Sequence, residues 1–441
     1  MTGTQVQEDS SRNPSTERLS EADRARGRRL AMVSHPAGNA FAMALSEHLP
    51  TLALLALGAS ESVVGGQSSI KTGANLLQLP TLRRVARIPK RTILTRGHLL
   101  AVVGMLPLLA FTPLREAAER GAAWPAWIAL ASLAVASAGI SISSTVWFPM
   151  LRSYVDPARI GRFFGLLRSG WHSTLILFYL AAAYWLSRAP GDFAPLFGAV
   201  FALGVVRFLL ISRMPEQSEL TGQGIRVREA FKLIRESPEL RRLLSTVSSG
   251  QALRASVLPF ALVMLRREVG FSEAQLLATT IANFAGGLAS LYFWGRIIDR
   301  RGAAIVFRGT SIGMALLTLS LIALSGIGDG AFLGAVLFFF CYAILAAGFG
   351  MADTHVLFKL TPVESPARIL VAAAVSVGLV AAIVPLAVGI SLQLGLRATP
   401  DGRLVYHVFF AIAAAVQAVN WWPSRGFGPD HTRARSERSS D

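Results

Sequence analysis

Apolar stretches recur along the chain, each about as long as the ~20 residues that a helix needs to cross a bilayer core. Short polar intervals separate them. The pattern predicts twelve spans, at 39–58, 65–82, 97–113, 124–149, 163–186, 194–213, 243–264, 275–296, 304–325, 331–358, 368–392 and 404–422. The expected fold is therefore an all-α integral membrane protein. Its longest polar interval, 214–242, separates two six-helix halves, 38–213 and 243–423. Residues 1–37 and 424–441 are polar and read as disordered tails. Inside the central interval, Val227, Ala230, Phe231 and Ile234 share one face of a short helix from Arg226 to Glu236. That helix either lies on the inner membrane surface or frays within a mobile linker.

Charge orients these spans. The chain holds 43 Lys and Arg against 26 Asp and Glu, a formal net charge of +17. In a soluble protein that balance would suggest a nucleic-acid partner. Here the basic residues concentrate in the N-terminal tail, the loops after even-numbered spans and the C-terminal tail. Cytoplasmic loops collect Lys and Arg, so both termini are expected in the cytoplasm. The excess charge then sets topology and meets anionic lipid headgroups, and no nucleic-acid partner is expected. Hydrophobic residues make up 52% of the chain and the mean hydropathy is +0.48, which excludes a soluble core of this size. The single cysteine, Cys341, allows no intramolecular disulfide and no Cys-based zinc site.

The halves echo each other. Pro157-Ala158-Arg159-Ile160 follows the fourth span and Pro366-Ala367-Arg368-Ile369 follows the tenth. Repeated six-helix halves are a transporter architecture, with substrate bound between them near the midplane. After the eighth span the chain reads Gly295-Arg296-Ile297-Ile298-Asp299-Arg300-Arg301-Gly302. This resembles the Gly-x-x-x-Asp-Arg-x-Gly signature of the major facilitator superfamily, which occurs there between helices 2–3 and 8–9. Trp147-Phe148-Pro149, with the stretch from Pro157 to Gly165, is similar to the helix 4–5 region of bacterial members. The resemblance covers about residues 38–422. It implies a multi-pass transporter of the cytoplasmic membrane. It also implies that Asp299, beside Arg300 in the motif opened by Gly295, joins a charge network holding the halves together on the cytoplasmic side. The other reading of Asp299 is a solvated loop charge. The first-half copy, at 79–91, keeps the basic residues but lacks the Gly and the Asp.

An ionisable group inside a membrane span costs roughly 2.5–3.5 kcal/mol on insertion scales and is a functional candidate by default. Glu47 lies about halfway along the first span, with Thr51 one turn later on the same face. It could carry a proton, because burial favours the neutral carboxyl, bind a cationic group or form a fixed ion pair. Its neighbour His48 points about 100° away and is left aside. In the second span Gln67, Lys71, Asn75 and Gln78 fall within a sector of about 80°. Such a stripe must face protein or water. Lys71 could pair with Glu47 or an anionic substrate; otherwise the stripe is an interhelical hydrogen-bond seam. In the seventh span, Gln251 and Arg254 share a side. Arg254 is too deep to snorkel easily and could clamp a carboxylate or phosphate or neutralise Glu47. Asn283 belongs to a polar stripe in the eighth span and His172 to one in the fifth. His172 could switch protonation near neutrality or simply pack. Asp353, near the cytoplasmic end of the tenth span, could gate the inner exit.

No P-loop, Gly-x-Ser-x-Gly elbow or His-Glu-x-x-His motif occurs. An ATP-driven pump and an enzyme are not expected, and neither a cofactor nor a metal is implied. The expected function is secondary active transport of a small molecule, proton-coupled through Glu47, by a monomer, with uptake and efflux both open. The rival is a membrane receptor, sensor or interaction scaffold that keeps the fold and has lost transport.

Overall fold

In lipid every backbone polar group must be satisfied within the segment, so long apolar runs become helices. The computed structural model describes residues 19–85, 87–155, 160–216, 227–360 and 366–420. Ten helices precede the central interval: α1 (Glu21–Ala44), α2 (His48–Ala56), α3 (Glu61–Gly73), α4 (Gln78–Val85), α5 (Lys90–Gly104), α6 (Leu106–Leu109), α7 (Phe111–Glu119), α8 (Trp124–Arg152), α9 (Ile160–Arg188) and α10 (Ala194–Ile211). A short helix, α11 (Val227–Glu236), leads into α12 (Pro238–Arg267), α13 (Glu273–Arg301), α14 (Ala303–Leu324), α15 (Ala331–Leu360), α16 (Pro366–Ala398) and α17 (Gly402–Val419). Among the described residues, eight helices are long and apolar enough to cross a membrane. A ninth joins them when α13, bent by 43° between Ser290 and Tyr292, is taken as one span.

The other expected spans are interrupted or polar. The first is broken at 45–47, between α1 and α2. The second changes to a 3-10 turn at Ala74–Leu77 between α3 and α4. The fifth lies in α9, whose His172, Tyr179 and Tyr184 lower its apolarity.

The structure corrects the expected N-terminal tail. Helix starts at Glu21, where Ser20 caps α1 by accepting from the Asp23 amide at 3.1 Å. Gly27 is buried against the Tyr154 ring, and Arg28 donates to the Tyr154 carbonyl at 3.0 Å. The Tyr154 phenol donates to the Pro215 carbonyl. Burial raises its pKa, so it remains a donor. These contacts hold the Arg-rich segment on the ends of α8 and α10. In α11, Ile234 packs with Leu244 and Ala372, so this helix leans on α12 and α16. Pro157–Arg159 of the repeated tetrapeptide lie outside the described residues, as do 1–18 and 421–441.

Small residues set the tightest packing, as is usual between helices in lipid. A Cβ on Gly139 of α8 would lie 2.4 Å from the Ala101 nitrogen and 2.5 Å from the Gly97 carbonyl of α5. Gly139→Val is expected to lower the melting temperature of the purified protein, at an overpacking cost of about 1–3 kcal/mol. Gly198→Val on α10, where a Cβ meets nothing within 4 Å, should leave it within about 0.5 kcal/mol. Parallel thermal melts of the two variants check this.

Candidate functional site

The break between α1 and α2 presents Glu47. The last turn of α1 closes at Leu45 and α2 starts at His48, which leaves Glu47 at the cap position with a non-helical backbone. Discontinuous helices of this kind recur at transporter binding sites. Opposite, on α3, Lys71 donates from Nζ to Glu47 Oε1 at 2.6 Å. Glu47 is 16% exposed and Lys71 35%.

The pair lines a cavity of about 240 Å³ between α1–α2, α3 and α12. Ser46, His48, Thr51, Gln67, Ser68 and Thr72 line it from the N-terminal helices. Gln251, Arg254, Ala255, Leu258 and Pro259 line it from α12. Gln67 Oε1 accepts from the Thr51 hydroxyl at 3.3 Å. Among the described residues, Arg254 has no carboxylate partner. A larger groove of about 590 Å³ between α16 and α17 is lined by apolar and small polar residues, with no charge. Its Ile383, Val408 and Ile412 are exposed on the outer surface, where lipid would cover them.

Five of the candidates read from sequence thus meet in one cavity: Glu47, Gln67, Lys71, Gln251 and Arg254. Asn75 and Gln78 do not join it; they bond each other at 3.2 Å, because the 3-10 turn after Gly73 rotates them off the Lys71 face. Asn283 is buried in α13, and His172 lies against its neighbour Trp171 at 4.4 Å; neither lines the cavity. Gly295, Asp299 and Arg300 sit in the last turns of α13 instead of a loop, and Gly302 ends the helix at φ +80°. Asp299 and Arg300 are exposed, and among the described residues neither forms an ion pair. Asp353 is half-buried on α15, away from the cavity. Among the described residues no three of His, Cys, Asp and Glu cluster as metal ligands.

Unbroken helical periodicity would turn His48 away from Glu47. The break cancels that periodicity. His48 lines the cavity, and its Nδ1 lies 2.7 Å from the Thr280 hydroxyl of α13. Arg207 gives no signal in sequence, because it stands near the end of a span, where a snorkelling cation is ordinary. It is 7% exposed, with its guanidinium 4.9 Å over the Trp147 ring. Gly38 makes room for it.

Polar contacts between the N-terminal and C-terminal helices gather at one end of the bundle, opposite α1's start. Arg267 at the end of α12 pairs with Glu61 at the start of α3 and donates to the Ala59 carbonyl at 2.5 Å. Tyr406 of α17 donates to the same Glu61 carboxylate at 2.9 Å. The Gly191 amide donates to Glu273 at 2.6 Å. Deeper in, Pro385 has no N–H for the Ala381 carbonyl, and Thr72 donates to that carbonyl at 2.7 Å. Gly65 and Gly389 permit this approach, since a Cβ on Gly389 would lie 2.4 Å from the Glu61 carbonyl.

The family model of the Major Facilitator Superfamily matches residues 32–385. The chain belongs to that superfamily. It is a multi-pass membrane protein of a transporter family. Among solved structures it is similar in fold to the nucleoside transporter NupG, with TM-score 0.66, 13% identity, 92% of this chain and 98% of that one covered. It is likewise similar to a D-xylose-proton symporter, with TM-score 0.66, 14% identity and coverage of 92% and 98%. A third is a bacterial homologue of the iron transporter ferroportin in an inward-facing state, with TM-score 0.67, 15% identity and coverage of 90% and 98%. No curated protein matches the sequence.

Removing Lys71 from this superfamily member would leave Glu47 without its ion-pair partner. The pair is part-exposed, so its loss falls between the ~0–1 kcal/mol of a surface pair and the ~3–5 kcal/mol of a buried one. Lys71→Ala is expected to cost about 2 kcal/mol, and adding Glu47→Gln should recover most of it. A double-mutant cycle read by thermal unfolding in detergent checks the coupling.

Proposed function

We propose that this protein is a secondary active transporter that moves a small molecule across the cytoplasmic membrane by alternating access, coupled to protons. In this reading the chain crosses twelve times in two six-helix halves, 38–213 and 243–423, with both termini in the cytoplasm. The observation that carries it is the charged cavity at the Glu47 break, lined from both α1–α3 and α12, with the Glu61–Arg267–Tyr406 cluster joining the N-terminal and C-terminal helices at one end of the bundle. Intramembrane charges lining a cavity mark substrate and ion pathways. A scaffold that had lost transport would gain nothing from them.

The coupling follows from the ion pair. Lys71 donates to Glu47 while the two touch. When a helix shift draws Lys71 away and a bound anion engages Arg254, Glu47 loses the effect of both cations and takes a proton. Re-formation of the pair releases that proton on the other side. Alternating access requires the Glu61 cluster to part as the opposite end closes, by rocking of the halves.

Two outcomes are expected. In proteoliposomes, Glu47→Gln should abolish the dependence of substrate accumulation on the pH gradient while exchange down a gradient persists; unchanged accumulation and pH dependence would show the carrier assignment wrong. Glu61→Gln should weaken the closed end. In a Cys341→Ser background, spin labels at Arg120→Cys and Ile327→Cys, both on the closed end, should then report a larger long-distance population than in the parent.

A further inference from the structure

The charges around the cavity do not cancel. Lys71 and Arg254 supply two cations and Glu47 one anion, and Glu47 is already engaged by Lys71 at 2.6 Å. Arg254 is therefore a cation in excess, with no carboxylate partner among the described residues. The start of α2 opens on the same cavity through Ser46, Glu47 and His48, and a helix N-terminus adds partial positive charge. A cationic ligand would be repelled here, and a neutral one would leave Arg254 unmatched. One excess charge fits a monovalent anion. Phosphate esters carry about −1.5 to −2 at neutral pH and would overshoot.

The remaining lining describes the rest of the molecule. Gln67, Gln251 and Thr51 offer amides and hydroxyls, the apolar wall is small, and among the described residues His48 is the one aromatic ring in the lining. The volume of about 240 Å³ lies below the roughly 300–1,000 Å³ of pockets for drug-sized ligands. A planar guanidinium holds a carboxylate through two parallel hydrogen bonds.

We infer that the substrate is a compact, hydroxylated monocarboxylate whose carboxylate is held by Arg254 and whose hydroxyls meet Gln67, Gln251 and Thr51. This rests on the transport reading and adds the substrate class to it.

Binding to the purified full-length protein separates the possibilities, with three probes of matched size: gluconate (anionic), sorbitol (neutral) and glucosamine (cationic). Gluconate should bind at least about tenfold more tightly than either of the others, and Arg254→Gln should remove that preference, since losing one partner of a desolvated charge pair costs at least that much. Arg254→Lys keeps the charge without the paired hydrogen bonds and should fall between; it also decides the matter if Arg254→Gln does not fold. Sorbitol or glucosamine binding as well as gluconate would overturn the anion assignment alone. So would gluconate binding unchanged in both Arg254 variants. Silence of all three probes also overturns it. The transport reading then survives if the Arg120–Ile327 label pair still responds to Glu61→Gln, and falls with it if the pair does not respond.

Discussion

The Lys71–Glu47 pair makes two strongly polar side chains tolerable in the middle of an apolar bundle. Either one alone would be an uncompensated charge; together they meet at 2.6 Å beside a small cavity. Their meeting depends on the interruption of helix at 45–47, which lets the chain turn between α1 and α2 and puts Glu47 at a cap position. Free backbone groups at such an interruption are tolerated in a membrane only where they line protein or water. The break and the cavity therefore require each other.

The end of the bundle that carries Glu61 follows the same logic of compensation. Arg267 is placed where a carboxylate, a carbonyl and a phenol from other helices converge. Below it, Pro385 withdraws a backbone donor from the Ala381 carbonyl, and Thr72 on the neighbouring helix supplies one. Thr72 also lines the cavity. The residues that border the cavity and those that hold α3 against α16 are thus consecutive turns of one helix, so a displacement of α3 acts on both.

Much of the site was legible in sequence because charges in apolar spans are rare and stand out. Glu47, Lys71 and Arg254 were found that way, and Gln67 and Gln251 through their spacing from them. The places where the structure departs from these readings have different causes. Asn75 and Gln78 were assigned to the Lys71 face by assuming an unbroken α-helix, and a 3-10 turn rotated them away. His48 was set aside on the same assumption, and a break brought it in. Arg207 was passed over because a cation near a span's end is ordinarily solvated, whereas here Trp147 and the space at Gly38 receive it. Residues 21–37 were read as disordered from their charge, yet their small residues fit against Tyr154 and its neighbours.

The amino-acid pattern alone shows a helical membrane protein of this superfamily and singles out Glu47, Lys71 and Arg254 as charges within apolar spans, because hydrophobic length and the cost of charge in lipid are local properties. It could not determine which charge answers which, where helices break or at which end of the bundle the polar contacts between its N-terminal and C-terminal helices gather. Those depend on distances between residues far apart in the chain, such as Glu61 and Arg267 or Thr72 and Ala381. Only the packing of one helix against another sets them.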